Sequence, residues 1–183
     1  MPNAGIYGAD CLIFDLEDSV PPAEKEAARA LVRRAIATLD LGGAECMVRI
    51  NPGGQGILDI DAIDPAGPDT YVIPTVESPD QLHEISHHLD TLGSQAGIVA
   101  ILESALGVQR AFEIASSTSR LVAMTLGIED YLADIRATDK EATTWANGAI
   151  LNACRAARIS PLASVTSAVA DDRTVEDLSL IHI

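Results

Sequence analysis

Short apolar runs alternate along this chain with longer stretches whose apolar residues recur every three or four positions. That alternation is what a parallel sheet with crossover helices requires, and it leaves few other architectures open. The first run, Cys11-Leu12-Ile13-Phe14, leads into Asp15-Leu16-Glu17-Asp18. Pro21 and Pro22 then open a helix with Ala28, Leu31, Val32, Ala35, Ile36 and Leu39 on one face, stopped by Gly42 and Gly43. Met47 to Ile50 is predicted as the second strand, followed by the turn Asn51-Pro52-Gly53-Gly54 and a short helix over 58–63. Tyr71 to Ile73 is the third strand. Ser78 and Pro79 start the next helix, which carries Leu82, Ile85, Leu89 and Leu92 and has Gly93 beyond its end.

Gly97 to Leu102 is a continuous apolar run, as expected of a strand buried on both faces. Ser104 caps a helix bearing Val108, Ala111, Phe112 and Ala115, and Leu121 to Leu126 is the fifth strand. A helix over 141–158 and a sixth strand near 162–165 complete the pattern. Six strands fit either an open doubly wound sheet or a barrel lacking strands at its ends, because a closed barrel needs eight and typically ~250 residues.

In parallel α/β proteins, chemistry gathers where the strands end. Five successive strand ends here carry polar groups: Asp15/Glu17/Asp18, Arg49/Asn51, Thr75/Glu77, Glu103 and Glu129/Asp130. Glu103 and Asp130 are the sharpest pair. Both are expected to end consecutive strands and to face one another, and magnesium is commonly held by one or two carboxylates with water and substrate oxygens completing its shell. The alternative is that both simply favour the N-termini of the helices that follow. Arg49 is the cation among these strand ends, suited to clamp a carboxylate bidentately or else to pair internally with Asp15 or Glu17. Asp15 and Glu17 share a side if the strand reaches that far. At least one acid of the Asp15/Glu17/Asp18 group is expected to orient metal-bound water, with a purely structural role as the alternative for Asp15.

The basic stretch Lys25, Arg29, Arg33 and Arg34 reads as a solvated helix face in preference to a nucleotide-phosphate site. His83, His87 and His88 lie on a helix expected on the outside, where they hold no metal. The net charge of −15 excludes nucleic acid as a partner. Hydrophobic content of 48% with only 3% aromatics calls for a globular core of Ala, Val, Leu and Ile. No apolar run approaches the ~18–20 residues of a membrane span. The N-terminus shows no signal peptide, so the expected location is the cytoplasm. Cys11, Cys46 and Cys154 are widely spaced in apolar surroundings and are expected as buried, reduced thiols.

Five blocks carry a resemblance. They are residues 8–20 (Gly-Ala-Asp-Cys-Leu-Ile-Phe-Asp-Leu-Glu-Asp-Ser-Val), Val48-Arg49-Ile50-Asn51, Ile73-Pro74-Thr75-Val76-Glu77-Ser78, Leu102-Glu103-Ser104-Ala105-Leu106-Gly107 and Gly127-Ile128-Glu129-Asp130-Tyr131-Leu132. In these blocks, and in their order, the chain resembles the citrate lyase beta-subunit-like branch of the HpcH/HpaI aldolase family. The resemblance implies a TIM (β/α)₈ barrel of the phosphoenolpyruvate/pyruvate-binding type, incomplete here with about six of eight strands. It implies a domain over 1–177, with 178–183 read as a non-native tail.

The activity it implies is Mg²⁺-dependent carbon–carbon lyase chemistry on a 3-hydroxyacyl-CoA such as malyl-CoA or citramalyl-CoA, with Mn²⁺ as a substitute metal. A class II aldolase acting on free 4-hydroxy-2-oxo acids is the second enzyme reading, and a non-catalytic or truncated ligand-binding fragment is the alternative of another class. By resemblance the metal ligands fall on Glu103 and Asp130, and the catalytic group on Arg49, Asp15, Glu17 and Asp18. The partners implied are a small acyl-CoA or 2-oxo acid substrate and further copies of the chain, in a trimer or hexamer. Thr75 departs from the family pattern, which often has Lys there.

Overall fold

A computed structural model describes residue 5 and residues 8–163. Six parallel strands form one sheet: β1 (Cys11–Asp15), β2 (Glu45–Arg49), β3 (Thr70–Ile73), β4 (Gly97–Leu102), β5 (Leu121–Leu126) and β6 (Ser160–Pro161). The crossovers carry α1 (Lys25–Thr38), α2 (Gly54–Ile63), α3 (Pro79–Leu92), α4 (Ala105–Gln109), α5 (Ala111–Ala115), α6 (Ile128–Asp134) and α7 (Thr144–Ala157). Each strand pairs in parallel with its sequence neighbours and the order is β1-β2-β3-β4-β5-β6. A doubly wound sheet must reverse its strand order somewhere, and among the described strands this one never does.

Burial gives the same answer. One apolar cluster joins outward-facing strand residues (Val48, Tyr71, Ile98, Ala100, Met124) to every buried apolar helix residue, from Val32 on α1 to Cys154 on α7. The second cluster is Met47, Val72, Val99 and Ala123, with Cys11 and Ile101 packed against it, and contains strand residues alone. Among the described residues the helices therefore cover one face, and the other face is a layer of side chains pointing away from them. This is a singly wound α/β sheet, the arrangement from which barrels are built. On that inner face the β1–β2 register sets Asp15 beside Arg49, and the β2–β3 register sets Arg49 beside Val72.

Several boundaries differ from expectation, each for a local reason. The helix after Ser104 breaks at Arg110 (φ −97°, ψ 12°) into two short pieces, leaving Phe112 57% exposed. A 3₁₀ turn over Lys140–Thr143 precedes α7, whose C-cap Arg158 is left-handed. The sixth strand lies earlier than expected and is two residues long; just past it the Leu162 N–H donates to Met124 O at 2.9 Å. Helix α1 ends at Thr38, so Leu39 caps it in an extended conformation, and Leu31 sits 69% exposed instead of on the core face. Ser78 behaves as read: it forms a capping box with Gln81, and left-handed Gly93 closes α3.

Cys46 and Cys154 are buried, Cys11 is half-buried, and all three are free thiols. Among the described residues no helix is long and apolar enough to cross a membrane. Residues 164–183, and with them the boundary expected at 177/178, lie outside the described residues.

Candidate metal and substrate site

The C-terminal ends of β1 to β5 bring most of the anticipated residues together. Arg49, the last residue of β2, donates through Nε to Asp15 Oδ1 and through Nη2 to Asp15 Oδ2, both at 2.7 Å. Its Nη1 stands 3.0 Å from Glu17 Oε2 and 3.7 Å from Asp18 Oδ2. Of the two roles open to it, internal pairing is the one observed: a planar fork matched to one carboxylate, with its remaining nitrogen shared by two more. β1 ends at Asp15, so Glu17 reaches the arginine from the loop and not as a strand neighbour. Burial would raise the Asp15 carboxyl, but hydrogen bonds from Arg49, Ser19 and the Glu17 N–H hold it well below the ordinary carboxylate range. Burial and the charge of Asp18 push Glu17 the other way, against the attraction of Arg49.

Glu103 follows directly on β4 and is buried, at 9% exposure. Its carboxyl is pushed up to about 7 chiefly by burial, with the charges of Asp130 and Glu17 adding to the rise. The Thr75 N–H, which donates to Oε2 at 2.9 Å, and the charge of Arg49 oppose it. Thr75 achieves this with φ +51°, a conformation that a β-branched residue rarely adopts and that tends to persist at functional sites. The Thr75 carbonyl accepts from Gln81 Nε2 at 3.2 Å, which ties the strained residue to α3. Glu77 turns aside from this centre and accepts from Ser104 Oγ at 2.6 Å.

Asp130 does not end a strand. It lies four residues past β5, exposed in the first turn of α6, where an acid suits the helix dipole. Its side chain makes no hydrogen bond or ion pair among the described residues, yet its charge reaches Glu103. Gly127 opens the space between the two. A Cβ there would stand 2.7 Å from Glu103 Oε1 and closer still to Cγ. Since Gly127 has φ −81°, alanine there is not conformationally strained, and the Glu103 side chain is what would have to move. Gly127→Ala is therefore expected to displace the Glu103 carboxylate and weaken Mg²⁺ binding about tenfold or more, measured by calorimetric titration.

Lys25 and Arg29 are not part of a solvated face. Lys25 Nζ donates to Leu16 O at 2.7 Å and to Glu17 O at 2.6 Å. Arg29 Nε is paired with the fully buried Asp59 at 2.6 Å. Sequence reasoning passed over Asp59; the available signal was an acid on the otherwise apolar face of a short helix. His83 and His88 bond Ser117 O and Asp61, each at 2.8 Å, as expected of structural residues. No group of three His, Cys, Asp or Glu side chains among the described residues is arranged to hold a metal. The available donors are two hard carboxylates, a set that fits a cation keeping most of its shell for water and substrate, as Mg²⁺ does.

A singly wound parallel sheet with acids and an arginine at its strand ends is an α/β scaffold of the kind from which barrels are built, with its polar groups where such folds keep their sites. The chain belongs to the HpcH/HpaI aldolase/citrate lyase family, whose model matches residues 1–179. The citrate lyase subunit beta of Leuconostoc mesenteroides subsp. cremoris is 37% identical over 193 residues, covering 98% of this chain and 64% of that protein. The L-malyl-CoA/beta-methylmalyl-CoA lyase of Cereibacter sphaeroides is 31% identical over 200 residues, covering 90% and 61%. Among solved structures, the citrate lyase beta subunit of M. tuberculosis, complexed with oxaloacetate and magnesium, superposes with a TM-score of 0.79 at 28% identity, covering 94% of this chain and 76% of that one. The chain thus spans about three fifths of the length of the curated relatives it matches.

Proposed function

We propose that this chain carries the metal-binding face of a Mg²⁺-dependent carbon–carbon lyase that cleaves or forms a 3-hydroxyacyl-CoA of the malyl-CoA or citramalyl-CoA kind. The observation that carries the reading is electrostatic. Three carboxylates (Asp15, Glu17, Asp18) share the guanidinium of Arg49, and the neighbouring pair Glu103 and Asp130 adds two more acids to the same strand ends. Such a site repels an anionic substrate unless a divalent cation compensates it.

Glu103 and Asp130 would hold that cation. Hard oxygen donors suit Mg²⁺ and Mn²⁺ and offer nothing to softer metals. When bound, Mg²⁺ supplies Lewis acidity at the oxygens of a 2-oxo acid, where charge develops as the carbon–carbon bond breaks. Glu17 and Asp18 would accept hydrogen bonds from the cation's water shell, and Arg49 holds both acids beside the site. Similarity to a malyl-CoA lyase and to a subunit solved with oxaloacetate and magnesium supports this reading. Assembly as a cytoplasmic homo-oligomer, trimer or hexamer, belongs to the same proposal.

The test is product formation from malyl-CoA, citramalyl-CoA and free 4-hydroxy-2-oxo acids, each with Mg²⁺ and with chelator. Mg²⁺-dependent loss of the acyl-CoA is expected. Turnover of the free acids alone would replace the reading with class II aldolase chemistry. Metal binding without any product would make this chain a ligand-binding piece.

A further inference from the structure

Two cations of α1 and one buried acid of α2 meet behind the site, on the helix side of the sheet. Lys25 and Arg29 are one turn apart, so both project towards the loop after β1 and towards α2. The Lys25 ammonium takes the carbonyls of Leu16 and Glu17 together. The Leu16 carbonyl accepts a second donor, Asn51 Nδ2, at 2.9 Å. Asn51 is itself held by Asp59 Oδ2, which accepts from its backbone N–H and from Nδ2, both at 2.7 Å. Asp59 Oδ1 takes Arg29 Nε, and Arg29 Nη2 donates to Gln55 Oε1 at 2.7 Å. A continuous chain of hydrogen bonds, charge-assisted where it passes through Asp59, therefore runs from Arg29 through Asp59 and Asn51 to the peptide that carries Glu17.

A cation in the first turn of a helix faces the positive end of the dipole. Lys25, one of two lysines in the sequence, stands there nonetheless. Its use is the pair of carbonyls it holds.

We propose that Lys25, together with the Arg29–Asp59–Asn51 relay, is a positioning element of the site. It fixes the peptide of residues 16–17 and so sets where the Glu17 and Asp18 carboxylates stand against Arg49. This deepens the magnesium reading of that face and rests on it. The role assigned to these four side chains needs no contact with substrate or metal. They act through the loop, as partners behind a metal site orient what stands in front of it.

The test uses the whole 183-residue chain as Lys25→Met, with Lys25→Arg as the conservative variant and Lys140→Met as the control. Two quantities are read: amide hydrogen exchange over residues 16–20, and Mg²⁺ affinity by calorimetric titration. Lys25→Met is expected to keep a cooperative unfolding transition and to lose exchange protection at the Val20 N–H, which donates to the same Glu17 carbonyl at 3.1 Å. Its Mg²⁺ affinity should fall about tenfold, with Lys25→Arg recovering most of both effects and Lys140→Met moving neither. If Lys25→Met does not fold, Lys25→Gln takes its place with the same readouts. Unchanged exchange over residues 16–20 overturns the positioning role whatever the metal does, and so does loosened exchange with undiminished Mg²⁺ affinity. A parent chain that ignores Mg²⁺ sinks the metal reading of the site separately, while the exchange data still decide whether Lys25 holds the loop.

Discussion

Glu103→Gln is expected to abolish the rise in melting midpoint that millimolar Mg²⁺ should give the parent chain if the proposed site binds it, and to raise the midpoint of the metal-free protein at pH 8. The first effect is mass action. A cation that binds only the folded state stabilises it by an amount set by concentration over Kd, and removing a charged ligand of the pair removes that gain. The second follows from where Glu103 sits. Its carboxyl moves from an ordinary value of 4.5 to about 7 on folding, mainly through burial. Between those values the folded chain binds more protons than the unfolded one, so stability falls as pH rises through that window and stays at the lower level above it. Glutamine, with no charge to bury, escapes the loss. Each pH unit across that window is worth about 1.36 kcal/mol, so a gain of about 1–3 kcal/mol is the expected scale at pH 8. It should vanish by pH 4.

At the proposed site the same titration would gate the metal, which takes the deprotonated carboxylate. Mg²⁺ affinity of the parent should therefore climb as pH passes about 7 and level off beyond it. Asp130→Asn separates the two effects: it should lose Mg²⁺ stabilisation, while an exposed aspartate in the first turn of α6 has no burial cost to recover. If Mg²⁺ raises the midpoint of Glu103→Gln as much as that of the parent, Glu103 is not a ligand.

What the sequence made legible followed from local physics. The run 97–102 is apolar at every position because β4 is covered by helices on one side and by the inner side-chain layer on the other, so its strand character needed no partner to be seen. Ser78 and Gly93 marked their helix ends because capping involves only a few neighbouring residues. Glu103 and Arg49 could be placed because a residue at or directly after the end of an apolar strand has a known position in a parallel sheet. Asp130 was placed one step wrongly for the same reason: the strand stops at Leu126, and α6 begins before the acid.

What stayed hidden is long-range. The basic residues of α1 look the same on paper whether they face water or a carbonyl eight or nine residues back. Arg29 finds Asp59 30 residues away, and no periodicity announces such a pair. Strand order belongs to the same class. Six strands fit two topologies until the helices are seen to share one face.

Asp59→Ala should be the most destabilising of these substitutions. The Asp59 side chain is wholly buried, and its two oxygens accept from Arg29 Nε, from the Asn51 N–H and from Asn51 Nδ2. Alanine removes every one of those acceptors at once. Arg29, whose side chain is only 14% exposed, is left as a nearly buried cation without a counter-charge, and two amide donors of a buried asparagine lose their partner. Breaking a buried pair from one side costs about 3–5 kcal/mol, far more than the pair contributes over an apolar replacement. The expected result is a large drop in the urea midpoint with an unchanged slope. Arg29→Met combined with Asp59→Leu should recover part of the loss, because the stranded charge goes with its partner. The recovery should stay incomplete, since Asn51 still lacks its acceptor and the Leu16 carbonyl one properly aimed donor. A loss under about 1 kcal/mol for Asp59→Ala is what an exposed ion pair would give, and it would mean that the helix side of the site is wet and the relay does not hold the loop.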